Sequence, residues 1–560
     1  MDSRRKKDGR NMEDGRERLG MGILRCTGAR IEPGDRRAPR RGAGCRSAMR
    51  DLEWPAGGGL LILYNGAFYG HPGADCMVVV DDRIAAIESG GASPGESADA
   101  EWVDLRGGAV FPGFVDAHVH VFEAGLAELG WRLDLAGKSR EESVAALADA
   151  VSVRGAGAWV LGGGWDESSW ADKRPLGRKD LDRISSSSPV GAVRVDGHLL
   201  VLNSAALGAA REILSDKRYR GLVDGGRGEV REEAAWRVLE SLEPDSTTLA
   251  DAFSAAARLF HRHGVTSVHG MMPRARAPVV LGAGGRERLR VTVFHRVDAA
   301  EKIADIRDEE RFDGAWIRFG GVKAFADGSL GAGTAAVSEP YVDGGTGTLI
   351  HSGEEIRSIV RACEARGWRS AIHAIGDRAI GQVLEAHAAV GSSPGLRHRI
   401  EHFELPAAEQ IERAVDLGLC LSMQPNFTGN WSGPESMYER KLGRRRDEKS
   451  NPLRRVIDAG AAVAFGSDGM PVSPIYGIHW AVNASYADQR IGAKEAIDAY
   501  TKGGAHFAFE ENDKGRLEVG ALADFVVLDE DPQIAPERIE QRRVLATYVG
   551  GSLVYEAEEA

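Results

Sequence analysis

The chain is poor in cysteine and lacks any long apolar run. Its five cysteines, Cys26, Cys45, Cys76, Cys363 and Cys420, are scattered through 560 residues without a CxxC spacing. That distribution argues against a disulfide framework and for a reduced, cytoplasmic setting. No stretch of 18 or more apolar residues occurs, so no membrane-spanning helix is expected. A secretory apolar segment and a tandem repeat are also missing.

Outside the first fifty residues basic side chains are fewer than acidic ones. Net charge is -12, yet residues 1–50 hold 15 Lys/Arg against 7 Asp/Glu. The remaining acidic body argues against nucleic acid as a partner. The basic arm has almost no apolar periodicity and reads as disordered, or as an overlong gene start with Met49 as initiator. Its scattered acidic residues, from Asp2 to Asp35, speak against a transit peptide.

What is present is a long alternation of strands and helices between two β-rich ends. Residues 51–108 contain GLLILYNGAFYG and CMVVVDDRIAAIESG, and residues 511–560 contain GRLEVGALADFVVLDED and RVLATYVGGSLVYE. Their β-branched runs and Gly/Asp turns predict one small sandwich built from both chain ends. Between them, segments 109–116, 265–269, 291–296, 316–324, 369–373, 397–402, 418–423 and 462–466 read as strands. Eight strands alternating with amphipathic segments predict a (β/α)8 barrel over 109–510. One such segment, EEIRSIVRACEARG, sets Ile356, Ile359, Val360 and Cys363 on one helical face, with Gly367 at its end. The 121–264 gap is too long for one crossover and predicts a subdomain inserted over the barrel mouth.

The stretch FVDAHVHV carries His118 and His120. Alternate strand residues share a face, so both imidazoles can converge on one cation. Two strand histidines can equally well pack in a core. A second HxH, His261 and His263, falls at a predicted helix end, where side chains two apart diverge, and reads as structural. Position distinguishes the first pair. His373, His402 and Asp468 also fall at or just after predicted strand ends, and Lys323 lies near another. Catalytic groups of such barrels gather at those C-terminal ends. His398 lies too far back along its strand to join them.

HxH after strand one, Lys after four, His after five and six, and Asp after eight together resemble the metal-dependent amidohydrolase superfamily. VKAFADGSLGAGTAA, HAIGDRA, RIEHFEL, SMQPNF and GSDGMPVSP resemble its YtcJ-like branch, which includes N-substituted formamide deformylase. The resemblance covers about residues 59–556. It implies a distorted TIM barrel in which His118 and His120 hold one divalent metal and His373 and His402 a second. Lys323 would be carboxylated and bridge the two. Asp468 would bind the first metal and carry the proton from attacking water to leaving nitrogen. Zinc suits these imidazole and carboxylate ligands. An unmodified Lys323 turned away would leave a one-metal site.

The insert adds Trp165, Asp166 and Trp170 beside a Gly run, and Arg194, Asp196, His198 and Asn203. Both segments resemble pocket-covering parts of YtcJ-like relatives. Trp165, Asp166, His198 and Gln424 are the substrate-contact candidates, with core packing or a turn role as the alternative for Trp165, Trp170 and His198. Asp327 and Gly328 are expected to shape the loop behind Lys323. Met470 and Phe403 depart from common choices in relatives, so no relative's substrate transfers. The expected activity is hydrolysis of a non-peptide, amide-type C–N bond in a small molecule. Ester or amidine-type hydrolysis at the same site is the alternative. A catalytically dead scaffold would have lost ligands, and all six are present. A homodimer stays open.

Overall fold

The computed structural model describes residues 59–558 except 91–99, 156, 307–311 and 313, so the expectation for the basic arm lies outside the described residues. Eight parallel strands form one sheet: β1 (Phe114–Val119), β2 (Val265–Met272), β3 (Arg290–Arg296), β4 (Ile317–Phe325), β5 (Ser370–Ala374), β6 (Arg399–His402), β7 (Cys420–Met423) and β8 (Ala462–Phe465). Each pairs with the next, which is the barrel order the sequence predicts. The strands are buried along most of their length, as expected of a parallel sheet covered by helices. The predicted helix is Gly353–Arg366, with Ile356, Ile359, Val360 and Cys363 buried and Gly367 capping it at φ 63°.

Two local features make the barrel irregular. β1 and β8 are not ladder neighbours. Their seam is clamped by the buried Asp116 carboxylate, which accepts from the Ser467 amide at 2.9 Å and from its hydroxyl. The Asp468 amide donates across the same seam to His118 O at 2.8 Å. A Cβ on Gly466 would meet His118 N at 2.4 Å, so only glycine allows this approach.

The expected strand 109–116 is two strands. Ala109–Pro112 pairs with Phe525–Leu528 in the end sandwich, and the chain turns at Gly113 before β1 begins. β-propensity alone cannot separate two consecutive strands that belong to different sheets. The sandwich joins a sheet of Arg83–Glu88, Cys76–Val80, Leu60–Tyr64 and Glu101–Asp104 to a sheet of Ala67–Phe68, Ala109–Pro112, Phe525–Leu528, Val544–Val549 and Ser552–Glu556. Leu61, Leu63, Met77, Val79, Phe525 and Tyr548 fill the space between them. Cys76 is disulfide-bonded, against the all-thiol expectation, whereas Cys363 and Cys420 are free and buried.

The inserted sheet is narrower than the 121–264 gap. Its six strands run from Leu133–Asp134 to Glu229–Arg231. Helix α1 (Val121–Glu128) precedes it, and α2 (Glu232–Glu240) and α3 (Ser246–Arg262) follow. α1 and α3 belong with the barrel: Val121 and Phe122 share a core with Leu249, Phe253, Ala256 and Phe260 and with β2. They cross so closely that a Cβ on Gly125 would meet Ala252 O at 1.9 Å. No described helix is long and apolar enough to cross a membrane.

Candidate metal centre

The C-terminal strand ends bring five of the six predicted ligands close together. The His118 and His402 rings lie 4.8 Å apart, His373 and His402 4.5 Å, and His118 and His120 5.8 Å. Asp468 Oδ1 stands 3.4 Å from His120 Nε2 and 3.8 Å from His118 Nε2. Ligand atoms of His118, His402 and Asp468 all fall within 4.8 Å of one another. Lys323 is 1% exposed and extends its ammonium over the Phe325 ring at 4.8 Å. His120 caps α1 at the rim, with its side chain 37% exposed.

Each of three buried histidines spends one ring nitrogen on the protein and keeps the other. His118 Nδ1 donates to Glu401 Oε2 at 2.5 Å. His402 Nδ1 donates to Gln424 Oε1 at 2.7 Å, and His373 Nε2 donates to Gly328 O at 3.0 Å. A nitrogen donating to an oxygen fixes the tautomer and leaves a lone pair on the other nitrogen, the arrangement of metal-ligating histidines. His118 Nε2 and Lys323 Nζ are buried without a hydrogen-bond partner. His118 Nε2 faces Asp468 and the His402 ring, so the donor set fits a cation between these side chains.

The electrostatics agree. Burial, followed by the Lys323 charge, holds His118 well below the ordinary histidine range, and burial with the neighbouring histidine does the same to His373 and His402. Neutral imidazoles are the form that ligates a metal. Burial pulls Lys323 down to about 8 against the pull of Glu401 and Asp468. Burial pushes Asp468 up to about 7, opposed by Lys323 and His198. His402, Phe403 and Asp468 all adopt left-handed backbone, at φ 74°, 51° and 51°. Such conformations cost about 1–3 kcal/mol each and persist where the surroundings impose them, commonly at functional sites.

Glu401 and Arg399 escape sequence reasoning, whereas Asp327 is expected from the sequence at the loop behind Lys323. Glu401 also takes Arg399 Nε at 2.7 Å and Nη2 at 2.9 Å, and Arg399 in turn donates to Ala117 O and to His269 Nδ1. Asp327, 0% exposed, accepts three backbone N–H groups, from Ala336, Ile375 and Gly376, at 2.8–3.0 Å. It thereby ties the loop after β4 to the turn after β5 that carries His373. The one signal in the sequence was the RIEH alternation at 399–402, which puts Glu401 on the same strand face as Arg399 and on the opposite face from His402.

The other candidates distribute differently. Trp165 is 0% exposed and stacks on Trp170 inside the insert's own core, so it is a packing residue and not a substrate contact. Asp166 accepts from Trp431 Nε1 at 2.8 Å, pinning the insert to the barrel helix Pro425–Trp431. Gln424 is buried against His402, where it orients the ring. His198 reaches the centre, its ring 5.2 Å from His373. Arg194 bonds Glu167 and Asp196, and Asn203 caps a helix inside the insert. His261 lies buried near Arg288 O, and His398 is held by Ser370 and Glu364, so both are structural, as the sequence suggests.

An irregular eight-stranded parallel barrel with buried histidines, a lysine and an aspartate at its C-terminal strand ends defines a class of barrel hydrolases. The chain belongs to the amidohydrolase family, whose model matches residues 101–555. It is 30% identical to Bacillus subtilis YtcJ over 494 residues, 82% of this chain and 91% of that protein. It is 26% identical to N-substituted formamide deformylase of Arthrobacter pascens, over 86% of this chain and 95% of that protein. A solved metal-dependent hydrolase of Pyrococcus horikoshii, itself uncharacterized, superposes with a TM-score of 0.67 at 27% identity, covering 85% of this chain and 99% of the other.

Proposed function

We propose that the protein is a metal-dependent hydrolase that cleaves a non-peptide, amide-type C–N bond of a small molecule. The observation that carries this is the donor pattern: three buried histidines each anchored through one nitrogen, with His118 Nε2 and Lys323 Nζ left unpartnered beside Asp468. His118, His120 and Asp468 would hold one divalent ion, His373 and His402 a second, and a carbamate on Lys323 would join them. Zinc fits imidazole and carboxylate donors. Bound there, the metal supplies a Lewis acid and lowers the pKa of water toward neutrality.

The chain's own groups do the rest. Glu401, Gln424 and Gly328 fix the ring orientations of His118, His402 and His373. Asp468 stands next to His118 and His120, where its carboxylate takes a proton from the attacking water and returns it to the departing nitrogen. Burial favours the uncharged amine of Lys323, the form that reacts with carbon dioxide. The relatives named as a formamide deformylase and a metal-dependent hydrolase support the same class of reaction. Hydrolysis of a panel of formamides, N-acyl amines and acyl amino acids, with metal content measured on the same preparation, tests the reading. Turnover on none of them, with no bound metal, overturns it.

A further inference from the structure

Three arginines gather on the rim where β1, β2 and β3 end, and two of them hold carboxylates of the chain. Arg276 follows β2 by four residues. It donates from Nε and Nη2 to Glu243 at 2.6 and 2.9 Å, and from Nη1 to Glu123 at 2.8 Å. Glu123 stands on the first turn of α1, three residues after His120. Arg296 ends β3 as the register partner of Lys323 and is ion-paired with Glu240.

Arg132 is the third, between α1 and the first insert strand, Leu133–Asp134. Among the described residues its guanidinium makes no hydrogen bond and no ion pair, and it lies 5.9 Å from the Trp131 ring. Its Nε is buried and unbonded. Eight other described arginines share that feature, and each of those is ion-paired with a carboxylate. The bare Nε therefore does not set Arg132 apart; the missing anion does.

The surroundings of Arg132 are those of a cleft wall. The residue is partly exposed, yet burial pulls its guanidinium below the ordinary arginine value, with Glu123 and Glu243 pulling the other way. Glu123 and His120 each keep 37% of their side-chain surface exposed. A side chain that is desolvated and still in reach of water lines a concavity rather than a flat surface. An enclosed cation without an anion is costly, and a ligand that supplies the anion removes that cost. The planar guanidinium matches a carboxylate through two parallel N–H···O bonds. With Nε enclosed, the two Nη groups form that fork. Glu123 and Glu243 stand close enough to disfavour a doubly charged anion such as phosphate, so a single negative charge suits the position better.

We propose that Arg132 is a specificity-determining residue that binds a carboxylate carried by the substrate, so that the amides cleaved at this centre are carboxylate-bearing ones, N-acyl amino acids among them. This rests on the hydrolase reading above and narrows it. Arg132 takes no part in bond making or breaking. It holds the carboxylate equally in the ground state and the transition state, so its loss appears in KM.

The test uses the full chain with its metal and two substrates: an N-acyl amino acid, and the N-acyl amine that lacks only its carboxylate. The wild type is expected to prefer the first by about 10–100-fold in kcat/KM, the range of a charge-assisted hydrogen bond. In Arg132→Met that preference is expected to fall to about threefold or less, through a higher KM for the acid, with the metal content of the wild type. Arg132→Lys keeps the charge and loses the fork, so it should keep part of the preference. A wild type without the preference overturns the proposal, as does an Arg132→Met variant that slows both substrates equally, which would make the residue structural. If Arg132→Met fails to fold, Arg132→Lys carries the comparison, and a full wild-type preference in that variant overturns the two-bond fork. A wild type that binds no metal and cleaves neither substrate removes the hydrolase reading and the proposal with it, whereas an active wild type indifferent to the carboxylate removes the proposal alone.

Discussion

Glu401 offers the sharpest perturbation, because it has two jobs that separate experimentally. It is 0% exposed, receives His118 Nδ1 at 2.5 Å and holds Arg399 through 2.7 and 2.9 Å bonds. Glu401→Gln leaves the equally buried Arg399 guanidinium without its anion. Removing one partner of a buried pair costs about 3–5 kcal/mol, of which the neutral amide recovers part by accepting one bond. The same change loosens His118, and loss of such an orienting partner weakens metal affinity by about 10–100-fold. The stability loss is expected as a lower melting temperature of the metal-free protein, and the affinity loss in competition with a chelator. Replacing both partners, Arg399→Met with Glu401→Leu, should recover much of the stability because no charge is left unpaired. It should not recover affinity, because His118 still lacks its acceptor. Wild-type melting and wild-type affinity in Glu401→Gln would refute the assigned geometry, and recovery of both by the double change would refute the orienting role.

Other perturbations follow from the same contacts. His118→Ala or His373→Ala should abolish turnover with melting nearly unchanged, read by activity assay and thermal denaturation. Gly466→Ala forces a methyl to 2.4 Å from the His118 backbone nitrogen, which cannot yield as a flexible side chain would, so both stability and metal content should fall. Lys323→Ala should lose one metal equivalent and most activity, and short carboxylic acids in the buffer should restore part of each. Trp165→Phe should leave kcat and KM unchanged, because the ring packs within the insert; a raised KM would return it to the substrate pocket.

The barrel was legible because its strands are short apolar runs whose C-terminal ends carry chemistry: His373 is the next-to-last residue of β5, His402 ends β6, and Asp468 follows β8 by three residues. His118 and His120 lie close although only His118 is in the strand and His120 precedes the next helix, whereas His261 and His263 sit at the end of α3. Partners that lie far apart in sequence were invisible. Glu401 meets His118 across 283 residues, and Asp116 reaches Ser467 across 351. Trp165 looked like a pocket residue because it follows a glycine run, but the first of those glycines, Gly162, lets the insert sheet pack against Leu135 and Leu147. The helix α3 fell inside the supposed insert because its apolar face gives no sign of which core it covers; it covers the barrel's.

The central claim is that the cluster around His118, Lys323 and Asp468 is a metal centre that performs hydrolysis. Elemental analysis of the purified chain, coupled to turnover before chelation, after chelation and after readdition of zinc, tests it most directly. The account predicts about one to two divalent ions per chain, in line with the available donors, together with loss of activity on removal and its return on reconstitution. Full activity in a metal-free preparation would contradict it.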